Sequence, residues 1–386
     1  MSSPVRLGLF YSAVFIGIGA SAPYIPVWFR HLGLSGAEIG LVLAAPMLAR
    51  VVTAPGIALW ADGFALRRTA LIWLGAVGAT AYVLLAAPFG FWWWFVIWFA
   101  AASVVTTISP LADVIVLARA RREGFNYGWP RGIGSAAFIV ANVGMGVLLT
   151  KGSPSLVLVW IASAAALAAL SAALLLPPDP VHATSERPRL GARLAGLVDL
   201  LRDPVFMTVV VSAGLIQSSH AYYYAFSVLA WRGQGLPASL TGVLWGVGVA
   251  AEIAFMWFME PWRRRVGPRR LLVLGGAAAV ARWTAFAFSP PLWLLFPLQT
   301  LHTFSFAATF LAVLQLVERL STPTNASAAQ TISSALSGGV LSGLATLASG
   351  WLFDRTGGLG YLSMAAMSAA GLAGALSLSL SRRLNA

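Results

Sequence analysis

Two stretches decide the fold: FRHLGLSGAEIGLVLAAPMLAR, residues 29–50, and WRGQGLPASLTGVLWGVGVAAE, residues 231–252, which lie over one another at a constant offset of 202. Arg30, Gly33, Leu34 and Gly40 fall on Arg232, Gly235, Leu236 and Gly242, while Leu43 meets Trp245, a mismatch inside the agreement. Carried on without a gap, the same offset puts Arg67 and Arg68 on Arg269 and Arg270. An apolar composition yields chance matches of Leu and Ala, but not readily a shared pattern of Gly and Arg over this length. The chain therefore holds two copies of one unit.

Composition says what that unit is. Of 386 residues, 59% are hydrophobic and 10% charged, and the mean hydropathy is +0.82. Soluble domains run at about 45–50% apolar and about 25% charged, so most of this chain faces something other than water. Sixteen Trp and 38 Gly fit a polytopic membrane protein, where Trp anchors helices at the headgroups and Gly permits close helix contact. Long, uniformly apolar runs exclude the alternating pattern of a β-barrel. Runs long enough to span fall at 7–29, 37–60, 70–88, 91–118, 129–150 and 154–176, then at 205–231, 238–260, 270–289, 292–317, 326–350 and 359–381. The expected fold is all-α: twelve transmembrane helices in an N-terminal six-helix bundle (1–176) and a C-terminal one (205–386), joined by a polar linker (177–204) with a surface amphipathic helix expected at 189–202. Six is even, so the copies share one orientation, and a cleft between the bundles is expected at the membrane midplane.

Charge sets the orientation. With the N-terminus in the cytoplasm, nineteen of the 25 basic residues fall in cytoplasmic segments. Four (Arg30, Lys151, Arg232, Arg355) fall in outer ones, and Arg50 and Arg282 stay inside spans. Both termini are thus expected in the cytoplasm, and most of the formal charge of +13 is a topology signal rather than a nucleic-acid footprint. The opening apolar stretch is long enough to span and reads as an uncleaved first helix. No cysteine is present, which excludes thiol catalysis and sulfur-ligated metal. His31, His182, His220 and His302 are dispersed, so no metal site is expected. No phosphate-binding loop of the Gly-x-x-x-x-Gly-Lys-Ser/Thr type occurs, which argues against ATP-driven pumping. No cofactor is implied.

Three segments carry a family likeness: GIALWADGFALRR (56–68), PLADVIVLARARREGFNYGWPRGIGSAAF (110–138) and SHAYYYAFSVLAWRGQGLPASLTGVLWGVGVAAE (219–252). With them the sequence resembles the major facilitator superfamily over essentially its whole length. Within it, the likeness is to the branch holding the 3-phenylpropionic acid transporters and the galactoside proton symporters. The superfamily loop pattern Gly-x-x-x-Asp-Arg-x-Gly-Arg-Arg is altered here: Asp62 is followed by Gly63, and the pair Arg67 and Arg68 is displaced by one position.

Charges deep in the apolar spans are the candidate site, because an ionised group in hydrocarbon costs at least about 2.5–3.5 kcal/mol and so faces a partner or a wet cavity. Glu252 lies eight residues from Glu260 and Arg282 twelve from Arg270, which puts both near the midplane of a core about 30 Å thick. They and His302 resemble the Glu, Arg and His of the galactoside permeases. That likeness implies that Glu252 carries the proton, that Arg282 is its charge partner and that His302 is a polar bridge. A plain buried ion pair, with a hydrogen-bonded core histidine, is the competing reading. Arg50, the counterpart of Glu252 under the offset, either meets an anionic substrate or snorkels or neutralises Asp113. Asp113 and Arg131 resemble the pair that contacts sugar in galactoside permeases, but gating or helix pairing is favoured, as it is for Asp62, Arg67 and Arg68. His220, Tyr223 and Tyr224 offer rings to a substrate, or simply pack.

The function expected is a proton-coupled symporter of a small organic anion, such as 3-phenylpropionate, working by alternating access. It is expected in the cell inner membrane, functional as a monomer among membrane lipids, with a small molecule and protons as partners and no nucleic acid. The alternatives are a uniporter or exporter of a sugar, nucleoside or hydrophobic drug, and a non-transporting membrane receptor or scaffold. No hydrophilic catalytic patch marks an enzyme.

Overall fold

The structure is a computed structural model and describes residues 2–179, 198–322 and 325–378. It is helical throughout, with no strand among the described residues. The first half holds α1 (Ser3–His31), α2 (Gly36–Asp62), α3 (Arg67–Leu84), α4 (Phe91–Glu123), α5 (Gly128–Lys151) and α6 (Leu156–Leu175). The second holds α7 (Pro204–Ser218), α8 (Ala221–Gly233), α9 (Ala238–Phe258), a short α10 (Glu260–Val266), α11 (Pro268–Ala287) and α12 (Leu292–Thr300). After these come α13 (Thr309–Leu320), α14 (Ala326–Ser334), α15 (Ser342–Thr356) and α16 (Tyr361–Ser377). Among the described residues each of the twelve expected spans falls on helix, and ten stretches are long and apolar enough to cross a bilayer. The last, Ala328–Ser377, is 50 residues long and is interrupted by a 3-10 turn at Gly357–Gly360. Of the expected amphipathic helix, 198–202 is helical; residues 189–197, like His182, Arg382 and Arg383, lie outside the described residues.

The repeat is visible as backbone geometry. α1 and α8 end on the same turn: Gly33 and Gly235 have φ of +89° and +85°, and their N–H groups donate to the carbonyls of Arg30 and Arg232 at 3.0 Å. Leu34 and Leu236 then donate to Phe29 and Trp231 at 3.2 and 3.0 Å. A left-handed residue closes a helix this way, and glycine takes it without steric cost. These two glycines serve the turn and not a close helix contact; a Cβ there would meet nothing within 4 Å. Gly242 is the close approach. Its Cβ would lie 2.7 Å from the Asn142 carbonyl and from the Tyr24 hydroxyl, so α9 packs backbone to backbone on α5. Beyond the first turn, Ser35 and Glu38 form a reciprocal capping box that starts α2.

The contacts divide the chain into two compact units, residues 1–183 with 225–246, and 184–224 with 247–386. In the first, Leu7, Phe10, Tyr11, Val14, Leu71, Leu74, Ile108 and Ile115 form the buried core. In the second, helical regularity is broken beside several of the buried polar residues. The chain leaves α-helix at Ser219 and His220, and π-helical segments occupy Thr303–Ala308 and Ala335–Leu341.

Candidate functional site

The second unit brings Glu252 (α9), Arg282 (α11), Gln299 (α12) and His302 into one chain of contacts. Arg282 is 0% exposed. Its Nη2 donates to Gln299 Oε1 at 2.5 Å and its Nη1 to His302 Nδ1 at 3.0 Å. Gln299 Nε2 donates onward to the Tyr223 hydroxyl at 3.0 Å. The guanidinium also lies over the rings of Trp283 and Tyr223, at 4.5 and 4.7 Å from their centroids. The other face of the imidazole meets the acid: His302 Nε2 is 3.7 Å from Glu252 Oε2.

These contacts fix the histidine. A guanidinium has donors only, so His302 Nδ1 receives with its lone pair and the ring proton sits on Nε2, facing Glu252. A second proton on the ring would set N–H against N–H. His302 thus touches Arg282 through Nδ1 and Glu252 through Nε2.

His220 is fully buried and satisfied on both nitrogens. Nδ1 donates to the Gln217 carbonyl at 3.0 Å, which leaves Nε2 to accept from the Ser305 hydroxyl at 3.1 Å. Its ring stacks on Tyr224 at 5.7 Å and meets Trp283 edge-on at 5.0 Å. Tyr223 and Tyr224 thus belong to the same aromatic cluster, with Tyr223 beneath Arg282. Gln299 and Ser305 were not singled out from the sequence, although polar positions 299, 302 and 305 recur every third residue along one helical face.

In the first unit Asp113 and Arg131 do not pair with each other. Asp113 Oδ1 accepts from the hydroxyls of Tyr11 and, at 2.8 Å, Tyr127. Arg131 donates to Ser109 Oγ at 3.0 Å and lies 4.4 Å over the Phe15 ring. Both tyrosines were missed, because nothing in local spacing ties position 11 to 113. Arg50 is exposed on α2. Asp62 is exposed at the end of α2. Arg68 donates to the carbonyls of Leu176 and Ala173 at 3.2 and 3.4 Å, tying the start of α3 to the end of α6. The Arg67 N–H donates to the Asp179 carbonyl at 3.2 Å, and the Asp179 carboxylate binds Arg122 and Arg119 at 2.9 and 3.3 Å. Asp179 is a further residue that sequence reading passed over, placing it in the linker.

Comparison with known proteins decides the family, for the sequence model of the MFS_1 like family matches residues 5–362. The chain belongs to that family. It is a multi-pass membrane transporter of small molecules with the major facilitator fold, not an enzyme. It is 26% identical over 321 residues to a protein of Escherichia coli K12 named a probable 3-phenylpropionic acid transporter, with 81% of each chain covered. It is 28% identical over 366 residues to the maltose permease of Geobacillus stearothermophilus, covering 90% of this chain and 87% of that one. Crystal structures of the nucleoside transporter NupG superpose with TM-scores of 0.87 for a point mutant and 0.83 for another form, at 17% and 16% identity, over 98% and 99% of this chain and all of theirs. At that identity the likeness is one of fold.

Proposed function

We propose that this transporter is a proton-coupled symporter of a small organic anion, with an aromatic carboxylate such as 3-phenylpropionate the first to test. It works by alternating access of the bundles 1–176 and 205–386, as a monomer in the cell inner membrane, with both termini in the cytoplasm. One observation carries the reading: a fully buried cation, Arg282, is held by neutral Gln299 and by His302, whose other nitrogen faces the carboxylate of Glu252.

A buried cation needs a counter-charge. With Glu252 ionised, that charge is supplied at a distance and a second anion is repelled. With Glu252 protonated, the place is open to the carboxylate of a substrate, so proton and anion enter together and leave together. Arg50 adds a second cation for the substrate. Tyr223, Tyr224 and His220 present rings suited to an aromatic body, in keeping with the relative named as a 3-phenylpropionic acid transporter. Asp62, Arg67, Arg68, Asp113 and Arg131 hold helix ends and interhelical contacts that rearrange in gating.

A second reading, facilitated transport of a sugar, draws on the maltose permease relative and on Asp113 with its two tyrosine hydroxyls, a polar group suited to sugar hydroxyls. Proteoliposomes separate the two. Under an imposed pH gradient, interior alkaline, radiolabelled 3-phenylpropionate accumulates while maltose and a nucleoside do not. Maltose uptake indifferent to the gradient, with no carboxylate uptake, refutes the proton–anion reading.

A further inference from the structure

The first unit holds a cavity of about 260 Å³ lined by Val27, Arg30, His31, Pro154, Leu229 and Arg232. Arg30 and Arg232 are the repeat-related arginines, and each precedes the positive-φ glycine that closes its helix. The two copies of one turn thus deliver their cations to the same cavity, with His31 beside them and no carboxylate among the lining residues. Basic residues in the last turn of a helix are explained singly by its dipole. Convergence of two such turns on one concavity is not. A cleft lined by one sign of charge concentrates the opposite ion, and Val27, Pro154 and Leu229 supply an apolar wall.

We propose that this cavity is a capture site for a soluble carboxylate carrying an apolar body, separate from the Arg282 cluster, with the head on Arg30 and Arg232 and the body against Val27, Pro154 and Leu229. The proposal deepens the organic-anion reading and rests on it. Within it, loading has an early step in which the anion is drawn to the protein before it reaches Arg282.

The test is equilibrium binding of radiolabelled 3-phenylpropionate and its neutral amide to the full chain in nanodiscs of phosphatidylcholine, at low and high salt. Wild type is expected to show a second, weaker component for the carboxylate alone, reduced by salt. Arg30→Gln and Arg232→Gln should each weaken that component about fivefold, with the tighter component unchanged, while Arg232→Lys keeps it. A second component of equal strength in both Gln variants overturns the capture site and leaves the organic-anion reading standing. No carboxylate binding of either kind overturns both. Loss of the second component when phosphatidylglycerol is added to the nanodisc assigns the cavity to lipid phosphate instead and overturns the proposal.

Discussion

The contacts at Arg282 give a coupling energy that can be measured. Laid end to end, the 3.0 Å contact to His302, the ring and the 3.7 Å contact to Glu252 span at most about 9 Å. Two unit charges at that separation interact by about 2 kcal/mol at an effective dielectric constant of about 20, against about 4 kcal/mol for a direct pair near 4 Å. A double-mutant cycle of Glu252→Gln and Arg282→Met isolates the quantity, because Gln keeps the shape of the acid and Met fills most of the volume of the arginine. Arg282→Met alone should cost about 3–5 kcal/mol, since Gln299 Oε1 and His302 Nδ1 lose charge-assisted donors in a buried site. The double variant should lose about 2 kcal/mol less than the sum of the single losses. Denaturant titration in mixed micelles, followed by circular dichroism, gives the four free energies. Additivity within about 0.5 kcal/mol would refute electrical contact between the two groups, and a coupling near 4 kcal/mol would refute the interposed imidazole. The same coupling sets how strongly protonation of Glu252 favours an anion beside Arg282: about 2 kcal/mol is about thirtyfold.

Three other outcomes are expected. Glu252→Gln, locked neutral, should lose gradient-driven accumulation of 3-phenylpropionate while keeping counterflow exchange in proteoliposomes; accumulation at the wild-type level would remove Glu252 from proton coupling. Arg50→Gln should weaken binding of the carboxylate about tenfold and of its neutral amide much less, read by binding titration at one pH and ionic strength. Equal proportional losses would take Arg50 out of the substrate site. Gly242→Val forces a side chain against the Asn142 carbonyl and the Tyr24 hydroxyl, which should destabilise the protein by about 1–3 kcal/mol. Thermal unfolding in detergent at the wild-type midpoint would refute the close packing of α9 on α5.

The architecture was legible because lipid leaves few options. Every backbone group must be satisfied internally, so apolar length alone marks helices, and the offset of 202 marks their repetition. Burial was legible for Arg282, a charge counted far into an apolar span. Partner choice was not. Arg282 donates to Gln299 and His302, and Asp113 accepts from two tyrosines, because side-chain rotamers and interhelical rotation decide which of several nearby groups come within 3 Å. Tyr11 and Asp113 are 102 positions apart, and no periodicity joins them.

The irregular backbone was also invisible, and it bears directly on the site. A π-helical turn inserts a residue and frees a carbonyl, which in a membrane interior must find another donor. Here the donors come from the residues just before the break between α7 and α8. Gln217 Nε2 donates to the Phe306 carbonyl at 3.0 Å, and Ser218 Oγ to the Ser337 carbonyl at 3.0 Å, where Ser342 Oγ also donates at 2.6 Å. The two π segments and the break thus satisfy one another, and His302 sits directly before the first of them. An inserted residue in a helix rotates everything on one side of it relative to the other by about 100°. The direction His302 faces relative to Ser305 and the helix beyond is therefore set by a backbone feature that has no hydrophobic signature. An ideal helix drawn through 292–317 includes the right residue and leaves its neighbours wrong.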